Sequence, residues 1–400
     1  MKVTLGERGS QHAKALLVCG ILAIAPLAGL AQERQPCIGF SGPLTGPAAF
    51  GGEAIQMGAE TAMEEINAKG GVLGKKLSLK VYNDEGAPPK GVDNVRRIAL
   101  SDNCVAMLGG YHSGVALAMR EPIKQTGILY VGTTAAGTTI IEHESGDNQF
   151  MFRVSAKDKW VAQTLVDVAA KRSKTGKIAI FHENTGWGNG AAPDIKKAMQ
   201  AKGLTPVAVE TFNWADQDMT PQLLRARDAG ADAIVMFALD REGNQILRGM
   251  DKLNYKPQIA SAWGLAGNLG QLAGPMANGV MVLQTYSWMG ALDPRGADVY
   301  NKIAAKYKLK SPADLKMGSG TANAYDAVYI IAKAIEKAGT YDWAKVREAM
   351  YSVKYDGLVA NYDPAFEKNQ ERHDAVLPKY YKITAWHNGV LLPVEQTPYK

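Results

Sequence analysis

The chain has 400 residues, 46% of them hydrophobic and 21% charged, with a formal net charge of +6. That length suffices for two domains with ordinary cores, and 42 Gly with 18 Pro suit a globular chain rich in strand–helix turns rather than a collagenous or disordered one. The basic excess is spread along the chain with no basic block or interleaved aromatic stripe, so nucleic acid is not an expected partner.

The N-terminus reads as an export signal. Lys2, Arg8 and Lys14 form a positive segment, and Ala15 to Leu30 is an apolar run interrupted by Pro26. Gly29 and Ala31 are small residues at the −3 and −1 positions of a cleavage before Gln32. The run is too short for a convincing membrane-spanning helix. Val18 before Cys19 and Pro36 before Cys37 do not fit lipid attachment. Residues 1–31 are therefore expected to be removed on the way to the periplasm.

Beyond that point, strands and amphipathic helices alternate. Pro36–Phe40 is a short strand ending in the turn SGPLTG. Ala54, Ile55, Ala59, Ala62, Met63 and Ile66 recur at helical spacing, and Gly70–Gly71 stops the helix. Strand Leu77–Tyr82, helix Val92–Leu100, strand Val105–Leu108, helix Val115–Lys124 and strand Leu129–Val131 follow. This order predicts a parallel sheet covered by helices.

The pattern then restarts. Helices are expected at Trp160–Ala170, Gly190–Ala201, Met219–Ala229 and Gly243–Met250. Strands are expected at Lys177–His182, Pro206–Thr211, Ala233–Phe237 and Gln258–Ser261. After Met281–Leu283 come helices near Ala297–Tyr307, Ala322–Ala338 and Trp343–Ser352. The tail reads as a strand pair, Pro378–Thr384 and Val390–Pro393, around His387–Gly389. Two α/β units of similar size place a ligand between them, beyond the carboxyl ends of the strands.

Downstream of the signal the cysteines are Cys37 and Cys104, each at the start of a strand. In a doubly wound half those strands are neighbours, so a disulfide and a pair of buried thiols both fit. The six histidines are scattered, without HExxH or a Cys/His set, and no phosphate loop or GxSxG elbow is present. No catalytic constellation, metal site or cofactor is expected.

Four stretches carry a resemblance to a known family: Ile38–Leu77, Met107–Ala136, Ile178–Ala191 and Ala322–Gly339. In that order and spacing the chain resembles a type I periplasmic binding protein, most closely the branched-chain amino acid-binding group that serves ABC importers. The resemblance implies two Rossmann-like α/β lobes with parallel sheets joined by a three-stranded hinge. It puts residues 32–152 and 284–367 in lobe one and 153–283 and 368–400 in lobe two. It also implies capture of a small organic solute by hinge closure, with a membrane permease as partner and a monomer as the diffusing form. A ligand sensor serving a membrane receptor is the alternative within binding, and permease or kinase genes as neighbours would separate the two.

The resemblance also assigns candidate ligand-binding residues. Ser113 matches a serine that binds the ligand carboxylate, and at a helix start it suits an anion in any case; a plain capping serine is the bland reading. Thr133, Thr134 and Ala136 lie in a loop whose backbone and hydroxyl groups bind the same carboxylate. Phe50 stands where relatives often have tyrosine, as a cleft wall or as core beneath the loop. Tyr111 and His112 flank Ser113, and His112 reads equally as a solvated loop residue. Trp187, in NTGWGNG, matches an aromatic that covers the ligand.

Trp263 departs from the pattern, because amino acid-binding relatives carry there an acid that holds the ligand ammonium. Asp240, with Glu242 beside it, is the nearest substitute, and Arg241 could meet a carboxylate. An unpaired buried ammonium is costly. So either Asp240 compensates or the ligand lacks an α-amino group, and an aromatic or other non-amino carboxylate is favoured over a branched-chain amino acid. Tyr325 could reach the cleft, Tyr329 is expected to pack within the lobe, and Asp326 to brace or cap.

Overall fold

The computed structural model describes Met1 and residues 34–142, 149–368 and 372–400. The export segment read at 1–31 lies outside the described residues apart from Met1. Arg34–Lys400 forms one compact unit.

The first half alternates β1 (Gln35–Gly42), α1 (Ala49–Ala68), β2 (Ser78–Asn83), α2 (Pro88–Arg96), β3 (Cys104–Gly109), α3 (Ser113–Thr126), β4 (Leu129–Gly132), α4 (Thr138–Ile141) and β5 (Met151–Arg153). Its sheet is wholly parallel, in the order β2-β1-β3-β4-β5. The chain continues through α5 (Asp158–Arg172), β6 (Ile178–Glu183), α6 (Gly186–Gln200), β7 (Ala208–Phe212), α7 (Thr220–Asp228), β8 (Ala233–Phe237), α8 (Asp240–Lys252), β9 (Gln258–Ser261), α9 (Leu269–Ala273) and β10 (Met281–Gln284). Then come α10 (Pro294–Tyr307), α11 (Gly318–Ala338), α12 (Trp343–Met350), β11 (Tyr355–Asp356), β12 (Asn361–Tyr362), β13 (Lys382–His387) and β14 (Val390–Pro393).

The second sheet runs β14-β13-β10-β9-β8-β6-β7. It is parallel from β7 to β10 and antiparallel across β10, β13 and β14. A parallel sheet needs a covering on both faces. On the first sheet, the successive β3 residues Leu108 and Met107 point into different apolar clusters, Leu108 on one face and Met107 on the other. α1 and α11 cover the first face, and α2 and α3 the second. Cys37 and Cys104, on neighbouring β1 and β3, are joined by a disulfide.

The late helix α11 returns to the first lobe because α1 offers it a seat. The Gly58 position of α1 lies so close to the Thr321 carbonyl of α11 that an added Cβ would stand 2.0 Å from that oxygen. Gly58→Ala is therefore expected to destabilise the fold by about 1–3 kcal/mol through overpacking, read by urea unfolding.

Chain crossings join the sheets. The chain leaves the first sheet after Arg153, comes back after Gln284 to lay α11 on α1, and crosses to the second sheet again between Tyr362 and Lys382. The first and last crossings pair with each other, since Arg153 N–H donates to the His373 carbonyl and Ala375 N–H to the Arg153 carbonyl.

Several element limits differ from the sequence expectation in a consistent direction. α1 begins at Ala49, α6 at Gly186 and α8 at Asp240, each several residues earlier than periodicity placed it. Their first turns are rich in Gly or polar residues, which hide the apolar repeat. Trp187, expected ahead of a helix starting at Gly190, is thus in the first turn of α6, where Thr185 caps the helix by accepting from the N–H groups of Trp187 and Gly188. Phe50, read as preceding the first helix, lies inside α1. At the tail, Pro378–Tyr380 is a single 3₁₀ turn rather than strand. The hairpin turns at Asn388 and Gly389, whose φ values of 50° and 79° suit the primed turn an Asn-Gly pair forms.

Candidate functional site

The lobes meet along the carboxyl ends of their strands. Contact is direct: Thr138 Oγ1 donates to Asp194 Oδ2 at 2.7 Å, the His112 and Trp214 rings lie 5.3 Å apart, and a Cβ on Gly186 would stand 3.0 Å from Gly114 Cα. Between them an inner chamber of about 200 Å³ remains. An outer chamber of about 640 Å³ shares His112, Trp214 and Leu239 with it.

On the first lobe the inner chamber is lined by Tyr111, His112, Ser113, Thr134 and Ala136. Ser113 is the first residue of α3, with His112 in the capping position. Its hydroxyl does not cap the helix; it accepts the Gly137 N–H at 3.1 Å, which ties the start of α3 to the loop after β4. The early N–H groups of a 14-residue helix have no partners inside the helix and carry its positive dipole end. Thr134 Oγ1 and Tyr111 Oη are buried without a hydrogen-bond partner. His112 Nδ1 is likewise buried and unpartnered, and burial pushes the imidazole down to about 4, so His112 is neutral at physiological pH.

Thr133 is placed elsewhere. Its hydroxyl donates to the Gly109 carbonyl at 2.8 Å and its own carbonyl accepts from Asn323 Nδ2 at 2.8 Å. It braces the loop and does not line the chamber.

On the second lobe the walls are aromatic. Trp187 and Trp263 line the inner chamber with Trp214. Trp263 sits in a short 3₁₀ turn directly after β9. The Trp187 ring packs 5.2 Å from Phe237. Its indole N–H is turned toward the Asp158 carboxyl without completing a hydrogen bond of normal geometry. Burial pushes Asp158 up to about 7, while Trp187 and Arg153 act in the other direction.

Asp240 and Phe50 face the outer chamber rather than the inner one. Asp240 braces the backbone: Oδ2 accepts the Asn268 N–H at 3.0 Å and Oδ1 the Leu269 N–H at 3.1 Å, capping α9. Burial pushes it up to about 7, those N–H groups acting in the other direction. Glu242 Oε1 accepts the Ala215 N–H at 3.0 Å. The Phe50 ring crosses Tyr111 edge-on at 5.9 Å and covers Gly267 of the other lobe, where a Cβ would stand 2.5 Å from the ring. Arg241 also borders the outer chamber.

Tyr325 and Tyr329 both donate to Glu65 Oε2 at 2.6 Å, away from the inner chamber. Asp326 accepts the backbone N–H groups of Leu358 and Val359 and the Tyr362 hydroxyl, and so braces the loop after β11.

The sequence reading missed Glu183, Thr185 and Trp214, all of which line the inner chamber. A signal for Glu183 was available, because it ends β6 and ligands sit beyond strand carboxyl ends. Trp214 lies in an irregular loop, where no periodicity marks it.

Among the described residues no group of His, Cys, Asp and Glu is disposed to hold a metal ion, and no helix is long and apolar enough to cross a membrane.

Comparison with known proteins agrees with this architecture. A family model described as periplasmic binding protein matches residues 37–381. A Leu/Ile/Val-binding protein homolog 3 of Brucella melitensis is 30% identical over 360 residues, covering 90% of this chain and 93% of the relative. The crystal structure of a periplasmic binding protein type 1 from Bordetella pertussis Tohama I superposes with a TM-score of 0.80 at 26% identity, covering 90% of this chain and 100% of that one. A solute-binding protein of an ABC transporter from R. palustris, solved with 4-hydroxybenzoate, shares the fold at 19% identity with a TM-score of 0.74, covering 89% of this chain and 95% of that one. The chain belongs to the periplasmic binding protein family: it is an extracytoplasmic solute-binding protein of the type I fold, related to the Leu/Ile/Val-binding group, and not a catalyst.

Proposed function

We propose that the chain captures a small carboxylate-bearing solute in the inner chamber and hands it to the permease of an ABC importer. The observation that carries this reading is the pair of buried, unpartnered hydroxyls, Thr134 Oγ1 and Tyr111 Oη, lining the chamber beside the start of α3. Buried polar atoms are nearly always hydrogen-bonded, and neutral donors at a helix N-terminus form an anion site. The carboxylate then sits on Ser113, Thr134 and Ala136, and the ligand body stacks against Trp187 and Trp263. The three crossings between the sheets act as the hinge, and closure is the population shift driven by contacts made only when the lobes meet.

An aromatic or other non-amino organic acid is the first candidate, because the Trp263 position offers a wall where an ammonium partner would stand and Asp240 faces the outer chamber rather than the inner one. The second candidate is an amino acid, and Glu183 in the chamber wall favours it.

A thermal-shift screen of the ligand-free protein against branched-chain and polar amino acids, amides, aliphatic acids and benzoate-like acids tests the class, since binding to the folded state raises its stability. Thr134→Val gives a sharper test. Losing a hydroxyl that bonds a carboxylate is expected to weaken binding about tenfold or more. The ligand-free protein should be no less stable, because the hydroxyl it loses has no partner. Unchanged affinity in titration calorimetry would remove Thr134 from the site.

A further inference from the structure

Glu183 is the one carboxyl among the described residues lining the inner chamber, and no Lys or Arg lines it. The side chain, at the end of β6, is 1% exposed. It is held from two sides. Thr185 Oγ1 donates to Oε1 at 2.5 Å, and Trp214 Nε1 donates to Oε2 at 3.0 Å. A carboxylate has about four acceptor positions, so these two donors orient the group and leave capacity on each oxygen.

The charge of the group is not balanced. The charged side chain acting on it is Glu242, of the same sign, and burial pushes the Glu183 carboxyl up to about 7 against the pull of its two donors. A buried carboxylate without a cation is costly. It is relieved either by a proton or by a donor brought in from outside. The facing wall has the opposite character: Ser113, Thr134 and the start of α3 offer donors.

We infer that Glu183 sets specificity by accepting a hydrogen bond from an N–H or O–H donor that the ligand carries besides its carboxylate. The inference rests on the cleft reading given above and narrows its ligand class to hydroxy- or amino-bearing acids. An ammonium and a hydroxyl share this chemistry, and matched probes distinguish them.

Titration calorimetry of the ligand-free full chain with two pairs of acids tests it: benzoate against 4-hydroxybenzoate, and 4-methylpentanoate against leucine. In at least one pair the donor-bearing member is expected to bind about tenfold tighter or more. Glu183→Leu should collapse that preference, while Glu183→Gln, nearly isosteric and safer for folding, should abolish preference for the ammonium and retain part of any preference for the hydroxyl. Equal affinity within both pairs overturns the inference, as does a preference that survives in both variants. The cleft reading still stands if the donor-less acids bind and are weakened by Thr134→Val. Failure of all four acids to bind the wild type overturns both.

Discussion

Replacing Asp374 by asparagine is expected to cost about 3–5 kcal/mol of folding stability, because it strips the counter-charge from a buried cation. Arg153 is fully buried. Its Nε donates to Asp374 Oδ1 at 2.6 Å and its Nη2 lies 2.6 Å from the same oxygen. Lys157 Nζ stands 3.1 Å from Oδ2. Arg153 Nη1 also donates to the Gly137 carbonyl at 2.8 Å, which reaches into the loop tied to Ser113. The cluster therefore links the first and last crossings to one wall of the cleft. Lys157 retains Glu142 as a partner, whereas Arg153 keeps its hydrogen bond to the Gly137 carbonyl and, without a direct ion pair, the Asp158 carboxyl.

The pH dependence follows from the same geometry. Burial raises the Asp374 carboxyl, but Arg153 and Lys157 outweigh it and hold the group below the usual carboxylate range. A folded-state value below the unfolded one of about 3.9 means that the stabilisation is present above that pH and is lost as pH falls through the folded value. Urea unfolding should show the wild type and Asp374→Asn far apart at pH 7 and converging below about pH 4. A variant as stable as the wild type at pH 7 would show that the cluster contributes no net stability.

Gly186→Leu is expected to weaken ligand binding roughly 30- to 150-fold while leaving the unfolding of the ligand-free protein within about 0.5 kcal/mol. A Cβ at Gly186 would lie 3.0 Å from Gly114 Cα, 3.4 Å from Gly114 N and 3.5 Å from Leu117 Cδ1. The obstacle is backbone at the start of α3 and cannot rotate away. An open arrangement of the lobes avoids the clash, so the cost of about 2–3 kcal/mol falls on the closed state alone. Gly114→Ala is the control, since its methyl would stand 3.9 Å from Gly186 N, at ordinary contact distance. Calorimetry with whichever probe acid binds the wild type reads the affinity, and small-angle scattering reads the contraction that accompanies it. Undiminished affinity in Gly186→Leu would show that binding does not require the lobes to meet at these glycines.

The parts of this molecule legible in one dimension are those where neighbours in sequence share one environment. The βαβαβ runs before Val131 and after Trp160, with their strand and helix types, follow from local periodicity, and the structure has them in that order. Ser113, Trp187 and Trp263 were identifiable through the family resemblance, which matches each to a ligand-site position after a strand end, and all three line the inner chamber. The first turns of α1, α6 and α8 escaped because a turn carries too few residues to display a period.

Tertiary structure alone decided the rest. Asp240 and Glu183 are both acids near the carboxyl ends of second-lobe strands. The backbone N–H groups of Asn268 and Leu269 claim the first, whereas a threonine two residues on and a tryptophan from a distant loop aim the second into the chamber wall. Which of the two lines the inner chamber depends on segments some thirty residues away in each case, and no local pattern encodes that distance. The same holds for Arg153 and Asp374, whose ion pair spans 221 positions: composition supplies the charges, but only closure of the chain on itself removes them from water and makes each necessary to the other.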